Sequence, residues 1–258
     1  MANDRDQQNN VEVLEQGNIY FCYRPKVEEH SVEGLDDVQR FYMVLKPHGK
    51  ASYRLIVVGQ KQLPEVSQHG QQTWGFVESV SSDAKKIEQG LREKTYQTKT
   101  RGKREQPAAR SVGEGVYDLV LHNDHTHLVY ALELPEEQGQ AQQELRIEPE
   151  GSYILNIKNP DKPSPQGAGL GEEQKVDFPQ HLQKRFKNHR FIAANPPHFL
   201  DYSGAEMVLI SAAADVSKEL GIELDPQSET ESTAEILNDL RMRKSRHPIE
   251  PLLTGEWR

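Results

Sequence analysis

Cysteine is nearly absent from this sequence: Cys22 is the only one among 258 residues. A single cysteine cannot form a disulfide within the chain, which excludes the disulfide-stapled class of secreted domains and fits a reducing cytoplasm. Long apolar runs are also lacking, since no stretch approaches the roughly 18 residues that a membrane-spanning helix needs. The opening segment MANDRDQQNN is polar and has no apolar centre of a signal peptide. We therefore expect a soluble cytoplasmic protein.

Well-known catalytic motifs and a basic overall charge are lacking too. Neither Gly-x-Ser-x-Gly nor His-Glu-x-x-His occurs. The net charge of −9 argues against general affinity for nucleic acids or anionic membranes. The charge is uneven, however, because residues 85–110 carry nine Lys or Arg against three Glu. A second basic run consists of Arg241, Arg243, Lys244 and Arg246. These runs indicate either solvated surface charge or an anion-binding face on an acidic protein.

What the sequence does contain is a series of strand patterns. Runs rich in aromatic and β-branched residues, bounded by proline or glycine, fall at 17–25, 40–47, 52–59, 73–80, 117–134, 151–160 and 205–212. Helical spacing predicts helices over 83–95, 177–188, 215–221 and 233–245. Strands in runs with few intervening helices indicate an α+β fold with a mainly antiparallel sheet and a few peripheral helices. Two similar-sized β-rich lobes are the alternative arrangement.

Composition also suggests how the chain is divided. Residues 1–11 predict a flexible N-terminal arm, and residues 12–221 an α+β globular domain. If there are two lobes, the basic loop 97–112 is their boundary. Residues 222–258 predict a linker, a C-terminal helix and an extended tail.

Two local signals mark the C-terminal part. Ser232 and Glu235 have the spacing of a capping box at the start of the helix 233–245. The tail HPIEPLLTGEWR carries four large apolar side chains and is too apolar for a solvated terminus. We expect it to dock on its own domain, with recognition of a partner protein as the alternative.

Four segments spread over the chain carry a resemblance: GNIYFCYRPKV, TRGKREQPAARSVGEGVY, FLDYSGAEMVLISA and HPIEPLLTGEWR. They resemble segments of an uncharacterised family of bacterial, cyanobacterial-type proteins of about this length. The resemblance covers most of the chain. It implies no activity and transfers no catalytic residue.

The most conspicuous local pattern is the histidine-rich stretch 119–134, LVLHNDHTHLVYALEL. It predicts a β-hairpin with a two-residue turn at 123–124. Strand alternation then places His122, His125 and His127 on one face. Paired Cβ atoms lie about 4.5–5.5 Å apart, so the imidazoles would be able to share a divalent transition metal. The other interpretation is a wet hairpin end at which histidine is a tolerated polar residue.

Cations at strand ends suggest a second candidate site. Three predicted strands end in a cation followed by proline, and the basic loop adds four more cations. If the strand ends meet on one rim, the gathered set is Arg24, Lys26, Lys46, Lys158, Arg101, Lys103, Arg104 and Arg110. Such groups would recognise phosphate or carboxylate, although strand edges are also commonly basic to stay solvated.

These observations favour a non-enzymatic binding or interaction module that recognises a protein partner or an acidic ligand. One alternative is a metal-dependent enzyme that uses the histidine hairpin. Another is a nucleic-acid-binding accessory protein, which the net charge and the lack of a known module argue against. A membrane partner is not expected.

Overall fold

The computed structural model describes residues 11–164, 170–171, 174–213, 216–227, 229–230 and 232–258. The strands are β1 (Val11–Pro25), β2 (Val38–Pro47), β3 (Tyr53–Val58), β4 (Gln72–Ser81), β5 (Lys94–Thr98), β6 (Gly102–Gln106), β7 (Arg110–His122), β8 (His125–Leu134), β9 (Glu150–Lys158), β10 (Phe191–Ala193) and β11 (Glu206–Ala213). The helices are α1 (Ala84–Leu91), α2 (Gln140–Leu145), α3 (Gln180–Gln183), α4 (Val216–Leu220), α5 (Glu235–Asp239) and α6 (Glu250–Thr254). Of the predicted arm 1–11, Val11 begins β1 and the rest lies outside the described residues.

Eight strands close into an antiparallel barrel. The hydrogen-bonded order is β9, β11, β4, β3, β2, β1, β7 and β8, and β8 pairs again with β9. Strand β10 pairs with the C-terminal end of β9. The ring takes strands from both sides of the basic segment 97–112. The expected α+β fold with a sheet and peripheral helices, and with it the two-lobe alternative, is therefore wrong.

Alternation along the strands explains how the barrel is filled. On β1, Ile19, Phe21 and Tyr23 belong to the cluster that runs through the barrel, whereas Tyr20 and Cys22 belong to a second cluster on the outer surface. Strand β1 is buried on both faces because α1 and the C-terminal segments cover its outside. Burial raises the pKa of the Cys22 thiol to about 12, so this cysteine is an inert core residue.

One end of the barrel holds a buried ionic cluster. Arg54 is fully buried and donates hydrogen bonds to Glu15 and to Asp201 (Nε to Oδ1, 2.8 Å). Tyr117 donates to Glu15 at 2.9 Å, and Lys50 lies 3.0 Å from the same carboxylate. Burial raises the pKa of Glu15, but Arg54 and the other donors outweigh burial and leave it lowered. Each buried charge here therefore has an opposite charge beside it.

The C-terminal helix begins differently from the capping-box prediction. Helix α5 spans Glu235–Asp239, far less than 233–245, and its N-cap residue makes no side-chain hydrogen bond. Instead, the Glu114 carboxyl group on β7 accepts hydrogen bonds from the backbone N–H groups of Glu235 and Ile236. Burial, followed by contact with Glu229, raises the pKa of Glu114 to about 9. The barrel wall therefore supplies the cap that the sequence signal assigned to Ser232.

The tail docks on the barrel, which confirms that part of the prediction. Leu252 is fully buried, and the Trp257 ring lies edge-on to Tyr23 with centroids 5.0 Å apart. The backbone carbonyl of Arg258 accepts a hydrogen bond from the N–H of Val32. The expected extended form is wrong, however, because α6 forms one helical turn that ends at Gly255 with a φ of 73°.

The other predicted helices form in shortened versions. The segment 177–188 gives α3 and a 3-10 turn at Lys184–Phe186, and the segment 215–221 gives α4. In the described part of the chain we find no helix with the length and apolar character to cross a membrane.

Candidate functional site: a basic groove beside the barrel

The site is built around α1, which lies on the outer surface of the barrel. Asp83 caps the helix by accepting a hydrogen bond from the Lys85 N–H at 3.0 Å. Ile87 and Leu91 are buried against the barrel. A Cβ at Gly90 would lie 3.1 Å from a methyl carbon of Leu55, so a glycine there allows close packing. This packing leaves the polar side of α1 facing the solvent as one wall of a groove.

The second wall is a small hairpin that the sequence did not reveal. The predicted helix 83–95 ends at Leu91, and residues that were expected to form the loop 97–112 instead form β5, β6 and the start of β7. The hairpin pairs Tyr96 with Arg104 and Lys94 with Gln106. Those side chains share one face because alternate residues of a strand point the same way.

Arg24 fixes the hairpin to the helix. Its guanidinium donates hydrogen bonds to the backbone carbonyls of Gly90, Arg92 (3.2 Å) and Pro107 (2.7 Å). It also donates to the Tyr42 hydroxyl at 3.2 Å. A buried arginine that satisfies carbonyls at a helix end and beside a hairpin stabilises their relative position. Arg24 is thus a structural part of the site.

The groove between these walls has a volume of about 770 Å³. Its lining includes four cations, Lys86, Arg92, Lys94 and Arg246, together with the carboxylates of Glu78 and Glu93. The side chains of the four cations form no ion pair within the described part of the chain. A smaller pocket of about 290 Å³ shares Glu78, Gly90 and Lys94 with it and so adjoins it.

The smaller pocket adds two aromatic rings and two further cations, one of which is Arg24. It is lined by Tyr96, Arg40 and Tyr42 among others. Arg40 lies 2.9 Å from Glu78 Oε1. Burial lowers the pKa of Arg40, but Tyr42 and Glu78 outweigh burial and leave it raised. The other oxygen, Glu78 Oε2, has no hydrogen-bond partner among the described residues.

The C-terminal basic run reaches the groove through His247. This histidine is fully buried, with Nδ1 at 3.2 Å from the Ala109 carbonyl and Nε2 at 3.4 Å from Glu88 on α1. It holds the neighbouring Arg246 at the groove. Two basic segments that lie about 150 residues apart in the sequence are thereby brought to one surface.

The predicted cluster of cations at one rim does not form. Asn18 pairs with Lys46, and Arg24 pairs with Arg40. Arg24 and Lys46 therefore lie at opposite ends of the β1–β2 pair. Lys46 pairs with Asp239, and the buried Lys158 pairs with Glu206 at 2.8 Å. The strand-end hypothesis is wrong because neighbouring antiparallel strands end on opposite rims.

The remaining cations of that prediction are also dispersed. Arg110 is buried, donates to the His30 carbonyl and lies over the Tyr23 ring. Arg104 pairs with Glu28 at 3.0 Å. Lys26, Arg101 and Lys103 are exposed. None of these residues lines either pocket.

The histidine hairpin forms with the predicted register but does not show a metal centre. His122 pairs with His125, and the turn residue Asn123 has a φ of 54°. His125 is exposed, whereas His127 is buried and lies 3.1 Å from the Ser152 hydroxyl. The rings of His122 and His127 are 5.9 Å apart. Among the described residues, no group of three or more His, Cys, Asp or Glu is arranged to hold a metal ion.

The groove residues that the sequence prediction missed are Arg40, Glu78 and Tyr96, together with the grouping of Lys86, Arg92, Lys94 and Arg246. The available signal was the charge excess of residues 85–110 and 241–246. Comparison with protein-family models, curated proteins and solved structures gives no match.

Proposed function

We propose that this protein is a non-enzymatic binding module that takes up an anionic ligand in the basic groove. The observation that carries the proposal is the convergence of Lys86, Lys94 and Arg246, without ion pairs in the described part of the chain, on a protein whose net charge is −9. The four cations of the lining outnumber its two carboxylates, and this excess of like charge is repulsive unless an anion neutralises it. A cytoplasmic location is part of the proposal, supported by the single, buried cysteine.

A metal-dependent enzyme is the weaker alternative to this proposal. It needs the three hairpin histidines to converge, and they differ in exposure, with His127 buried against Ser152. Burial, followed by repulsion from His122 and His125, lowers the pKa of His127 to about 4. The histidine is therefore neutral at pH 7, which by itself is compatible with a core residue as well as with a ligand.

The proposal is tested by equilibrium binding of two fluorescein-labelled anionic probes, hexaglutamate and hexadeoxycytidylate, at low salt. The variant K86A/K94A/R246A removes three groove cations. We expect it to weaken binding of at least one probe by about tenfold or more, because ion pairs with the ligand are lost.

A matched control removes the same charge elsewhere. The variant K99A/R101A/K103A changes three cations on the outer part of the hairpin, and we expect its affinity to stay within about twofold of the parent protein. Equal losses in the two triple variants would show that the binding is unspecific surface attraction, and the absence of binding of either probe would overturn the proposal.

A further inference from the structure

We infer that the ligand of the basic groove is single-stranded nucleic acid, with phosphates on the groove cations and a base stacked on Tyr96. This inference rests on the proposed function and names its ligand class.

The first observation is the position of Tyr96. The residue is 44% exposed, and only one other large hydrophobic residue in the described chain is exposed to a similar extent. The ring has no aromatic or cation–π partner within the described residues. It lines the smaller pocket together with Lys94 and Arg40. A single exposed tyrosine is ordinary on a protein surface, but here the ring shares a pocket with the unpaired Lys94, which also lines the larger groove with three more cations.

An aromatic ring next to cations is the arrangement that binds single strands. The cations follow the phosphates, and successive bases stack on exposed rings whatever their identity. The hairpin gives Tyr96 a fixed backbone, because β5 is paired with β6 along its length and Arg24 ties the hairpin base to α1. A backbone fixed in advance reduces the entropy that binding must offset.

The second observation is an unsatisfied hydrogen-bond acceptor in the lining. Glu78 belongs to the lining of both pockets, and its Oε2 lacks a hydrogen-bond partner among the described residues. Arg40 compensates the charge of Glu78 through Oε1, so Oε2 is left to accept a hydrogen bond from a ligand that brings a donor. The amino groups of cytosine, adenine and guanine are such donors and lie on the base itself, whereas the donors of an acidic peptide are its backbone N–H groups. Oε2 is buried in this structure, so Glu78 must rotate to present it to the base on Tyr96.

The contrast between the net charge of −9 and the groove cations determines how binding should depend on salt. Beyond the groove the acidic protein repels a nucleic acid, so affinity depends on the few phosphates that reach the cations. With four cations in the larger groove, the logarithm of the affinity should fall with the logarithm of salt concentration with a slope of about −2 to −3, at roughly 0.7 per phosphate of a single strand.

The test compares hexadeoxycytidylate, hexathymidylate and hexaglutamate by fluorescence anisotropy on the full chain. We expect hexadeoxycytidylate to bind more tightly than hexaglutamate. The variant Tyr96→Leu should weaken its binding by roughly 5- to 150-fold, the loss expected for one base stack, while Tyr96→Phe retains the ring and the affinity. Hexaglutamate binding should not depend on either change.

Glu78 gives an independent readout. The parent protein should prefer hexadeoxycytidylate to hexathymidylate, because thymine lacks an exocyclic amino group, and Glu78→Met should remove this preference. If hexaglutamate binds as tightly as the oligonucleotides, or if Tyr96→Leu leaves oligonucleotide binding unchanged, the inference is wrong while the anion-binding proposal stands. If no probe binds in the groove, both are wrong.

Discussion

Two regions of this molecule carry concentrated charge and treat it in opposite ways. Inside one end of the barrel, Arg54 is fully buried and lies between the carboxylates of Glu15 and Asp201. Along the outer groove, Lys86, Lys94 and Arg246 have no ion-pair partner in the described chain. Burial makes an unpaired charge too costly to keep, whereas water tolerates it. The difference indicates that the inner charges serve the fold and that the groove charges are available to a ligand.

The largest effect on stability is expected from breaking the buried ion pair between Arg54 and Glu15. Arg54→Met leaves Glu15 buried without its main partner, and we expect the free energy of unfolding to fall by about 3–5 kcal/mol. Urea denaturation at pH 7 measures this. The double variant Glu15→Gln with Arg54→Met should recover part of the loss, because no buried charge is then left uncompensated. A loss below about 1 kcal/mol would contradict the assigned role of the pair.

A smaller effect concerns a buried group that has no opposite charge beside it. His127 has a pKa of about 4 in the folded protein against 6.5 for the free side chain. Below pH 6.5 the unfolded state takes up a proton that the folded state resists until about pH 4. The free energy of unfolding is therefore highest above pH 6.5 and falls, by on the order of 3 kcal/mol in total, as pH decreases towards 4.

Comparison of two variants isolates this histidine. His127→Gln keeps a hydrogen-bonding group near Ser152 and should flatten the dependence of unfolding free energy on pH between 6.5 and 4, measured by urea denaturation. The exposed His125 is the control, and His125→Gln should retain the acid sensitivity of the parent. An unchanged pH dependence in His127→Gln would mean that other groups cause the acid lability.

The smallest effect on stability is expected in the groove. K86A/K94A/R246A should change the free energy of unfolding by less than about 1.5 kcal/mol in total, because each substitution of an exposed side chain is usually within about 0.5 kcal/mol. Thermal and urea unfolding measure it, with the hairpin triple variant as reference. A substantial stabilisation would indicate strong repulsion among these cations, whereas a substantial loss would show that they hold the fold and would remove the contrast with the inner pair.

Local structure was predictable where the sequence pattern is strong. The major strands, the register of the hairpin 119–134 and the docking of the tail follow from alternation, turn residues and apolar content. Closure of the strands into a barrel was not predictable, because alternation indicates which face of a strand is buried but not which strands pair. The pairing of β4 with β11 depends on residues about 130 positions apart.

The candidate site was likewise predictable only in part. The excess of cations in 85–110 was visible in the sequence, yet Arg24 and Arg110 from the predicted set are structural, and Arg246 joins the groove through a distant segment. The C-terminal helix shows why: Ser232 and Glu235 match a capping pattern, but Glu114 on β7 supplies the hydrogen bonds. Tertiary partners replaced local ones at each of these points.

The seam between β4 and β11 also determines when the protein can finish folding on the ribosome. Strand β4 ends at Ser81, and its remaining partner edge is filled only by residues 206–210. At roughly 5–20 residues per second, synthesis of the intervening chain takes roughly 6–26 s. During that time the nascent sheet presents an unpaired edge strand to other chains. The yield of folded protein should therefore depend on chaperones that shield nascent chains and on a lower growth temperature. This dependence should be stronger than the stability of the finished barrel would suggest.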